Sequence, residues 1–269
     1  MTRIWKHNVS ADWLEARKDV LTASEIRELI PEFKRMLKKP AGTVSPGFFA
    51  FCGAKLSNDV PDTLSTGPAA RGHIMEPYAI DDWNRNNPHV AYFHWDDLVI
   101  KRNGIGYSPD GLDRPQVEEM GVELWADNKS GELKLPGKHK AIMTAPTRAI
   151  EVKCYEPKQH MRAFLDKKED RDERLQVAVA FMVLPKLKYV DVLWYCPEAP
   201  IPMFSEYYER VDLEEEIKLI TEMLKMFHWH MKKVKHDMED WSCGGAYPTH
   251  TTQSIYDEYS DIERNMMSI

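Results

Sequence analysis

Apolar positions along the 269-residue chain recur first at helical spacing, then at alternating spacing, and the changes of period mark out the elements. Ser10 is placed to cap a helix over Ala11 to Lys18. Thr22 and Glu25 have the spacing of a capping box for a second over Ala23 to Ile30, and Ser45-Pro46 opens a third. A longer helix is predicted from Pro68 to about Asn86. Ala70, Ile74 and Tyr78 lie on one of its sides, while Ile80, Trp83 and Glu76 share another, as in a helix buried in a fold. The stretch VAYFHWDDLVIKRNGIGYSPDGL then alternates about Asn103-Gly104, a preferred hairpin turn, which puts Asp110 where the second strand ends.

From Asp113 to Arg148 the chain is rich in Gly, Pro, Lys and Glu without sustained period and reads as an insertion or long loop. A strand over Ala149 to Tyr155 follows, turning Ile150 and Val152 one way and Glu151 and Lys153 the other. Helices are predicted over Lys158 to Leu165 and Arg171 to Leu184, and strands over Lys188 to Cys196 and Phe204 to Val211. Asp212 caps a last helix whose stripe of Leu213, Ile217, Ile220, Leu224 and Phe227 is core packing. This order predicts an α/β fold, a mixed central β-sheet flanked by helices, rather than a doubly wound nucleotide-binding fold. One domain over 1–240, interrupted at about 113–148, is expected, with a tail over 241–269 whose Gly, Ser and Thr suggest mobility or packing on a neighbour.

Composition narrows the classes. At 43% hydrophobic and 29% charged the chain can bury a large core, which excludes disorder and collagen-like structure. It has no apolar run long enough for a bilayer span and no apolar signal core at its start, so neither membrane nor export is expected, and a cytosolic place is. Four distant cysteines, Cys52, Cys154, Cys196 and Cys243, exclude a zinc ribbon or iron–sulfur motif and predict free thiols. No phosphate-binding glycine motif occurs. A net charge of -7 repels polyanions as a whole, so any nucleic acid must meet a local basic patch, while clustered carboxylates that hold cations would themselves add negative charge.

Such a cluster is suggested by Glu76 on a buried-looking helix, Asp110 at a strand end, and Glu151-Val152-Lys153 on a strand. Hard divalent cations take oxygen ligands, and carboxylates from these elements with a main-chain carbonyl supply them. A lysine on the same face is able to orient or deprotonate a water, or to stabilise charge growing on a phosphorus. Each part alone has a plainer reading: a lone Glu-x-Lys is usually an exposed face and Asp-Gly usually a turn. A carboxylate on an apolar helix face is less easily explained away, because burying it unpaired is costly.

Taken in order, W-L-E-A-R at 13–17, L-T-A-S-E at 21–25, R-G-H-I-M-E-P at 71–77, G-Y-S-P-D-G-L at 106–112, E-V-K-C at 151–154 and L-Q-V-A-V-A at 175–180 resemble the PD-(D/E)XK nucleases, and among them the phage lambda exonuclease type, the YqaJ-type viral recombinases. The resemblance implies that Asp110, Glu151 and the Val152 carbonyl bind a catalytic Mg²⁺, for which Mn²⁺ would substitute, with Glu76 helping at the metal or its water shell. It implies Lys153 as the catalytic lysine, Gln176 as the active-site glutamine, and Arg17 and Ser24 as the grip on the 5′-phosphate of the degraded strand. It further implies a 5′→3′ exonuclease on double-stranded DNA ends, a trimeric or tetrameric homo-oligomeric ring, a single-strand annealing partner, and a phage or prophage protein working in the cytoplasm of a bacterial host. A repair endonuclease or flap nuclease of the same fold, and an inactive DNA-end-binding protein, are the alternatives.

Two departures accompany it. Forty residues separate Asp110 from Glu151, and among them Glu132-Leu133-Lys134 is a rival E-x-K that lacks the apolar flank of Ala149-Ile150. Within the same stretch Lys134, Lys138, His139 and Lys140 read first as solvated, with contact to a DNA backbone as the alternative, and Trp125 reads first as a core candidate, with stacking on a frayed base as its alternative. The other tryptophans, Trp5, Trp13, Trp83, Trp95, Trp194, Trp229 and Trp241, read mostly as core, and His73, His94 and His160 as packed or solvated.

Overall fold

The mixed α/β architecture expected from the sequence is present, its strands arranged in two five-stranded sheets that each mix parallel and antiparallel pairs, with helices packed against them. The structure, a computed structural model, describes residues 11–39, 44–57, 68–117, 119–138, 140–166 and 173–244. The expected cap Ser10, Trp5, His139 and the tail beyond Gly244 lie outside the described residues.

The first sheet runs in the order β1 (Leu21–Thr22), β4 (Ile105–Tyr107), β3 (Val99–Arg102), β6 (Glu123–Ala126), β7 (Leu133–Lys134). The second runs β10 (Met203–Tyr208), β9 (Tyr189–Tyr195), β8 (Arg148–Lys153), β5 (Gly111–Leu112), β2 (Phe93–His94). Between β3 and β4 the turn forms as its sequence predicts. Asn103 and Gly104 adopt φ of 51° and 77°, the paired left-handed conformation that a two-residue hairpin demands and that these two residue types tolerate.

The helices are α1 (Ala11–Arg17), α2 (Ala23–Leu37), α3 (Pro46–Ser57), α4 (Pro68–Asn86), α5 (Pro157–Leu165), α6 (Glu173–Val183) and α7 (Glu214–Gly244). Thr22 closes a complete capping box on α2, its hydroxyl accepting from the Glu25 N–H while the Glu25 carboxylate accepts from the Thr22 N–H at 2.8 Å. The helix then runs past its expected end at Ile30 and through Pro31. Ile26, Leu29, Ile30, Phe33 and Met36 are all buried, and that apolar stripe outweighs a cost of about 3 kcal/mol for an internal proline. Asp212 does not cap the last helix directly. It sits in a 3-10 turn, Arg210–Leu213, where its carboxylate accepts from the Glu209 N–H at 3.0 Å, and α7 starts at Glu214.

The segment read as an insertion or loop is ordered as part of the first sheet. Val99, Ile100 and Lys101 of β3 pair in parallel with Glu123, Leu124 and Trp125 of β6, and β7 pairs antiparallel to β6. Strands of four and two residues are too short to show a period in sequence, and β3 supplies the backbone partners that stabilise them. Trp194 and Trp95 are buried as expected, whereas Trp125 is 38% and Trp229 59% exposed. Residues from Met226 onward form a second compact unit, of which the structure describes the continuation of α7; Lys233 Nζ stands 5.6 Å over the Trp229 ring there. Among the described residues no helix is long and apolar enough to cross a membrane.

Beneath the candidate site, Ala79 and Ile80 of α4 pack on Tyr92, Ile150, Val152, Leu193 and Tyr195. Gly111 is required here by close approach: a Cβ would stand 2.8 Å from Ile150 Cγ2 and 3.0 Å from the Phe93 carbonyl oxygen. That contact brings the turn carrying Asp110 tight against β8. Cys52, Cys154 and Cys196 are buried free thiols, and Cys243 lies among residues whose side chains are not described.

Candidate active site

Strand β8 is paired with β9 along its whole length, but its other neighbour, β5, reaches only Ile150. Beyond that point Asp110 takes over as the partner, its Oδ2 accepting the Val152 N–H at 2.7 Å. A residue's N–H and C=O leave the same side of a strand, so the Val152 carbonyl faces the Asp110 side too. The Asp110 backbone is itself fixed, its carbonyl accepting the Trp95 N–H at 3.1 Å.

Alternation turns Glu151 and Lys153 together onto one face, as the sequence predicted, and α6 lays Gln176 across them. The glutamine donates from Nε2 to Glu151 Oε2 at 2.5 Å and accepts from Lys153 Nζ at 3.0 Å. A carboxylate only accepts and an ammonium only donates, so this one side chain satisfies both with its two ends. Lys153 Nζ stands 3.5 Å from Glu151 Oε2. The other oxygen, Glu151 Oε1, is buried within a residue only 1% exposed, and Tyr107, itself buried, hydrogen-bonds to the Glu151 carboxylate.

Electrostatics identify what this cluster lacks. Burial pushes the Asp110 carboxyl well above the usual carboxylate range, and the charges of Glu76 and Glu151 push it further. Burial likewise raises Glu151, against the pull of Lys153. Lys153 is buried as well, which favours its neutral form, yet Glu151 and Asp110 outweigh that and hold it charged beyond its ordinary range. Glu76 comes from α4, half-buried, with His73 Nδ1 3.5 Å from its Oε2. Two buried carboxylates, Asp110 and Glu151, thus face one ammonium, with the half-buried Glu76 close enough to bias their charges. Among the described residues no group of three or more His, Cys, Asp or Glu side chains is gathered to hold a metal ion. The donor types are those a hard cation takes: the Asp110 and Glu151 carboxylates, with the Val152 carbonyl on the Asp110 side.

Arg17 and Ser24 lie next to this centre. Together with Thr22, Gly106, Ser108 and Gln176 they line a small cavity of about 30 Å³, so Gln176 belongs to both places. The guanidinium of Arg17 is held by stacking 4.0 Å over Trp13 and by donation from Nη2 to Thr22 Oγ1 at 3.3 Å. Burial lowers its pKa, opposed by Glu25, and a guanidinium stays charged regardless. Trp13 is anchored in turn by donating from Nε1 to Ser108 Oγ at 3.1 Å. Ser108 and Thr22 were not singled out from sequence. Ser108 sits two residues before Asp110 in S-P-D-G, so the strand end that delivers the carboxylate also delivers a hydroxyl to the cavity.

No family model matches the chain, and no curated protein matches it in sequence. Among solved structures it is similar to an alkaline exonuclease from Laribacter hongkongensis, with a TM-score of 0.55 at 16% identity over 86% of this chain and 100% of that one. The complex of that exonuclease with dAMP matches equally. A phage-related exonuclease from Haemophilus somnus 129PT is also found, at a TM-score of 0.48 and 11% identity over 81% of this chain and 96% of that one. The chain has the fold of the alkaline exonuclease.

Within this fold the two E-x-K segments occupy different sheets. Glu151 and Lys153 meet Asp110 on β8. The rival Lys134 lies on β7, at the edge of the first sheet, bound to Asp127 at 3.1 Å.

Proposed function

We propose that the protein is a Mg²⁺-dependent deoxyribonuclease that degrades one strand of double-stranded DNA from its end, 5′→3′, leaving a 3′ single strand for recombination by annealing. The observation that carries this reading is Gln176, which bridges Glu151 and Lys153 and also lines the cavity of Arg17 and Ser24. A terminal phosphate gripped in that cavity puts the next phosphodiester beside the carboxylates, and cutting there releases a mononucleotide. The fold likeness to an exonuclease that binds dAMP supports the same product.

In this reading Asp110, Glu151 and the Val152 carbonyl hold the cation, with Glu76 supporting it. Mg²⁺ bound there would polarise the phosphate and supply a water of lowered pKa. Lys153 orients the attacking water and offsets charge growing on the phosphoryl oxygens. Gln176 keeps that ammonium from collapsing onto Glu151. Arg17 offers a forked donor and Ser24 and Ser108 hydroxyls to the 5′-phosphate. A homo-oligomeric ring of three or four copies would keep the DNA enclosed between cuts, and would reconcile a net charge of -7 with a basic channel. A partner that anneals the exposed strand completes the proposal, in the cytoplasm of a bacterial host.

The test is digestion of a linear duplex carrying a 5′-phosphate on one strand only, with and without Mg²⁺, the labelled products being sized. Selective loss of the phosphorylated strand to mononucleotides is expected. Internal fragments, or cutting of closed circles, would replace the exonuclease with an endonuclease, and no digestion would leave an end-binding protein. Arg17→Ala should reduce the preference for a 5′-phosphate over a 5′-hydroxyl by at least about tenfold, the loss of a charge-assisted contact of about 1.5–3 kcal/mol.

A further inference from the structure

The inserted β6–β7 hairpin carries a feature that the catalytic reading does not use. A groove of about 560 Å³ opens on it, floored by Trp125 and flanked by Arg102, Asn128, Lys134 and Lys138. Trp125 is 38% exposed, unlike Trp194 and Trp95, and its indole is fixed in place: Nε1 donates to Glu123 Oε1 at 2.8 Å and Lys101 Nζ stands 5.9 Å over the ring. The acids of the groove are already satisfied. Asp127 accepts the N–H groups of Lys129 and Ser130 at 2.9 and 2.8 Å and the Lys134 ammonium at 3.1 Å, while Glu123 binds Lys101 at 2.8 Å. Lys138 is exposed and has no ion pair among the described residues. What the groove presents outward is therefore an aromatic surface, amides and positive charge.

Its position is set by strand register. Glu123 pairs with Val99, which lines the Arg17 cavity, and Lys101 pairs with Trp125 on one side and with Gly106, another lining residue of that cavity, on the other. Cross-strand partners share a sheet face, and two strand spacings are about 10 Å, or about three base steps of 3.4 Å. Nucleic acid whose end sits in the cavity passes within reach of Trp125.

We propose that this groove is a binding site for single-stranded DNA, in which Trp125 stacks on an unpaired base and Lys138 and Lys134 meet the backbone phosphates. Away from its end a duplex has every base already stacked on both faces, so an indole beyond the end meets a free face only on an unpaired base. The strand left behind by resection is such a ligand, and the groove would hold it beside the shrinking duplex end. The inference rests on the reading of the protein as one that acts on DNA, but its test does not depend on cleavage.

The measurement is fluorescence anisotropy of a labelled oligothymidylate of about 16 nucleotides in EDTA, with a blunt 5′-phosphorylated duplex as comparison. Trp125→Ala should weaken oligothymidylate binding about 5- to 100-fold, the loss of one base–aromatic stack, while Trp125→Phe restores most of it and blunt-duplex affinity is unchanged. Lys138→Ala should reduce the salt slope by about 0.7, one phosphate contact fewer. Equal affinity of folded Trp125→Ala and wild type, or no binding of the oligonucleotide by wild type at 50 mM salt, overturns the site. If Trp125→Ala does not fold, an unchanged salt slope in Lys138→Ala overturns it as well. Trp125-dependent binding in a protein that digests nothing would keep the groove and remove the nuclease; digestion without such binding would do the reverse.

Discussion

Replacing Asp110 by asparagine should stabilise the metal-free protein at neutral and alkaline pH and at the same time end its cleavage of DNA. In the folded chain the Asp110 carboxyl is raised well above its ordinary value of 3.8, first by burial and then by Glu76 and Glu151. Between that value and the raised one the folded state holds a proton that the unfolded chain has released. Stability therefore falls as pH rises through this window, at up to about 1.4 kcal/mol per pH unit for one group. Asparagine cannot ionise, and its Oδ1 still accepts the Val152 N–H, so the variant keeps the 2.7 Å hydrogen bond and loses the slope. Thermal melts of both proteins in EDTA from pH 4 to 8 read the difference, each kcal/mol being worth about 2–4 °C. The variant's advantage should widen with pH, and adding Mg²⁺ should raise the wild-type midpoint alone. A variant no more stable than wild type at pH 8, or an advantage that shrinks as pH rises, would refute the picture of crowded carboxylates awaiting a cation.

Other perturbations test the frame around the site. Gly111→Ala should cost about 1–3 kcal/mol in urea unfolding, because its methyl would stand 3.0 Å from the Phe93 carbonyl, a backbone atom that cannot swing away. An unchanged midpoint would mean that β5 is looser than the structure has it. Burial pushes the Cys154 thiol up to about 12, with Glu76 and Asp110 adding to the shift, and burial pushes Cys52 up to about 11. With thiolate suppressed that far and both side chains inside, neither should react with an aromatic disulfide reagent at pH 8 until the protein is unfolded, as mass mapping of the labelled cysteines would show. Fast native labelling at Cys154 would mean that the site opens.

Sequence made the strand of Glu151 and Lys153 visible for a physical reason that did not extend to everything around it. Glu151 and Lys153 show themselves because period-two alternation between apolar neighbours puts two charges on one face, and Asp110 because a strand must end at its turn. Both are local signals. The strands β6 and β7, in the segment read as an insertion or long loop, went unpredicted because runs of four and two residues carry no measurable period, and their stability comes from β3, some twenty positions earlier in the chain. The helix end expected at Ile30 failed for the opposite reason: the packing of Phe33 and Met36 carries α2 on through Pro31. Ser108 and Thr22 gave no sign of belonging with Arg17, since only the pairing of β1 with β4 brings Thr22 beside Gly106 and so toward the cavity.

The same contrast bears on how such a site can acquire new contacts. The parts encoded locally, Asp110 and the E-V-K strand, meet across the short antiparallel pairing of β5 with β8 in the second sheet. The parts encoded non-locally enter through the first sheet, where β3 has α1 and the cavity of Arg17 near one flank and β6 on the other. Because β6 adds to an edge of that sheet, it extends the surface beside the cavity without touching the strand that holds Glu151 and Lys153. An addition placed there is free to change which nucleic acid is held, and how long, while the carboxylates that would cut it stay as they are.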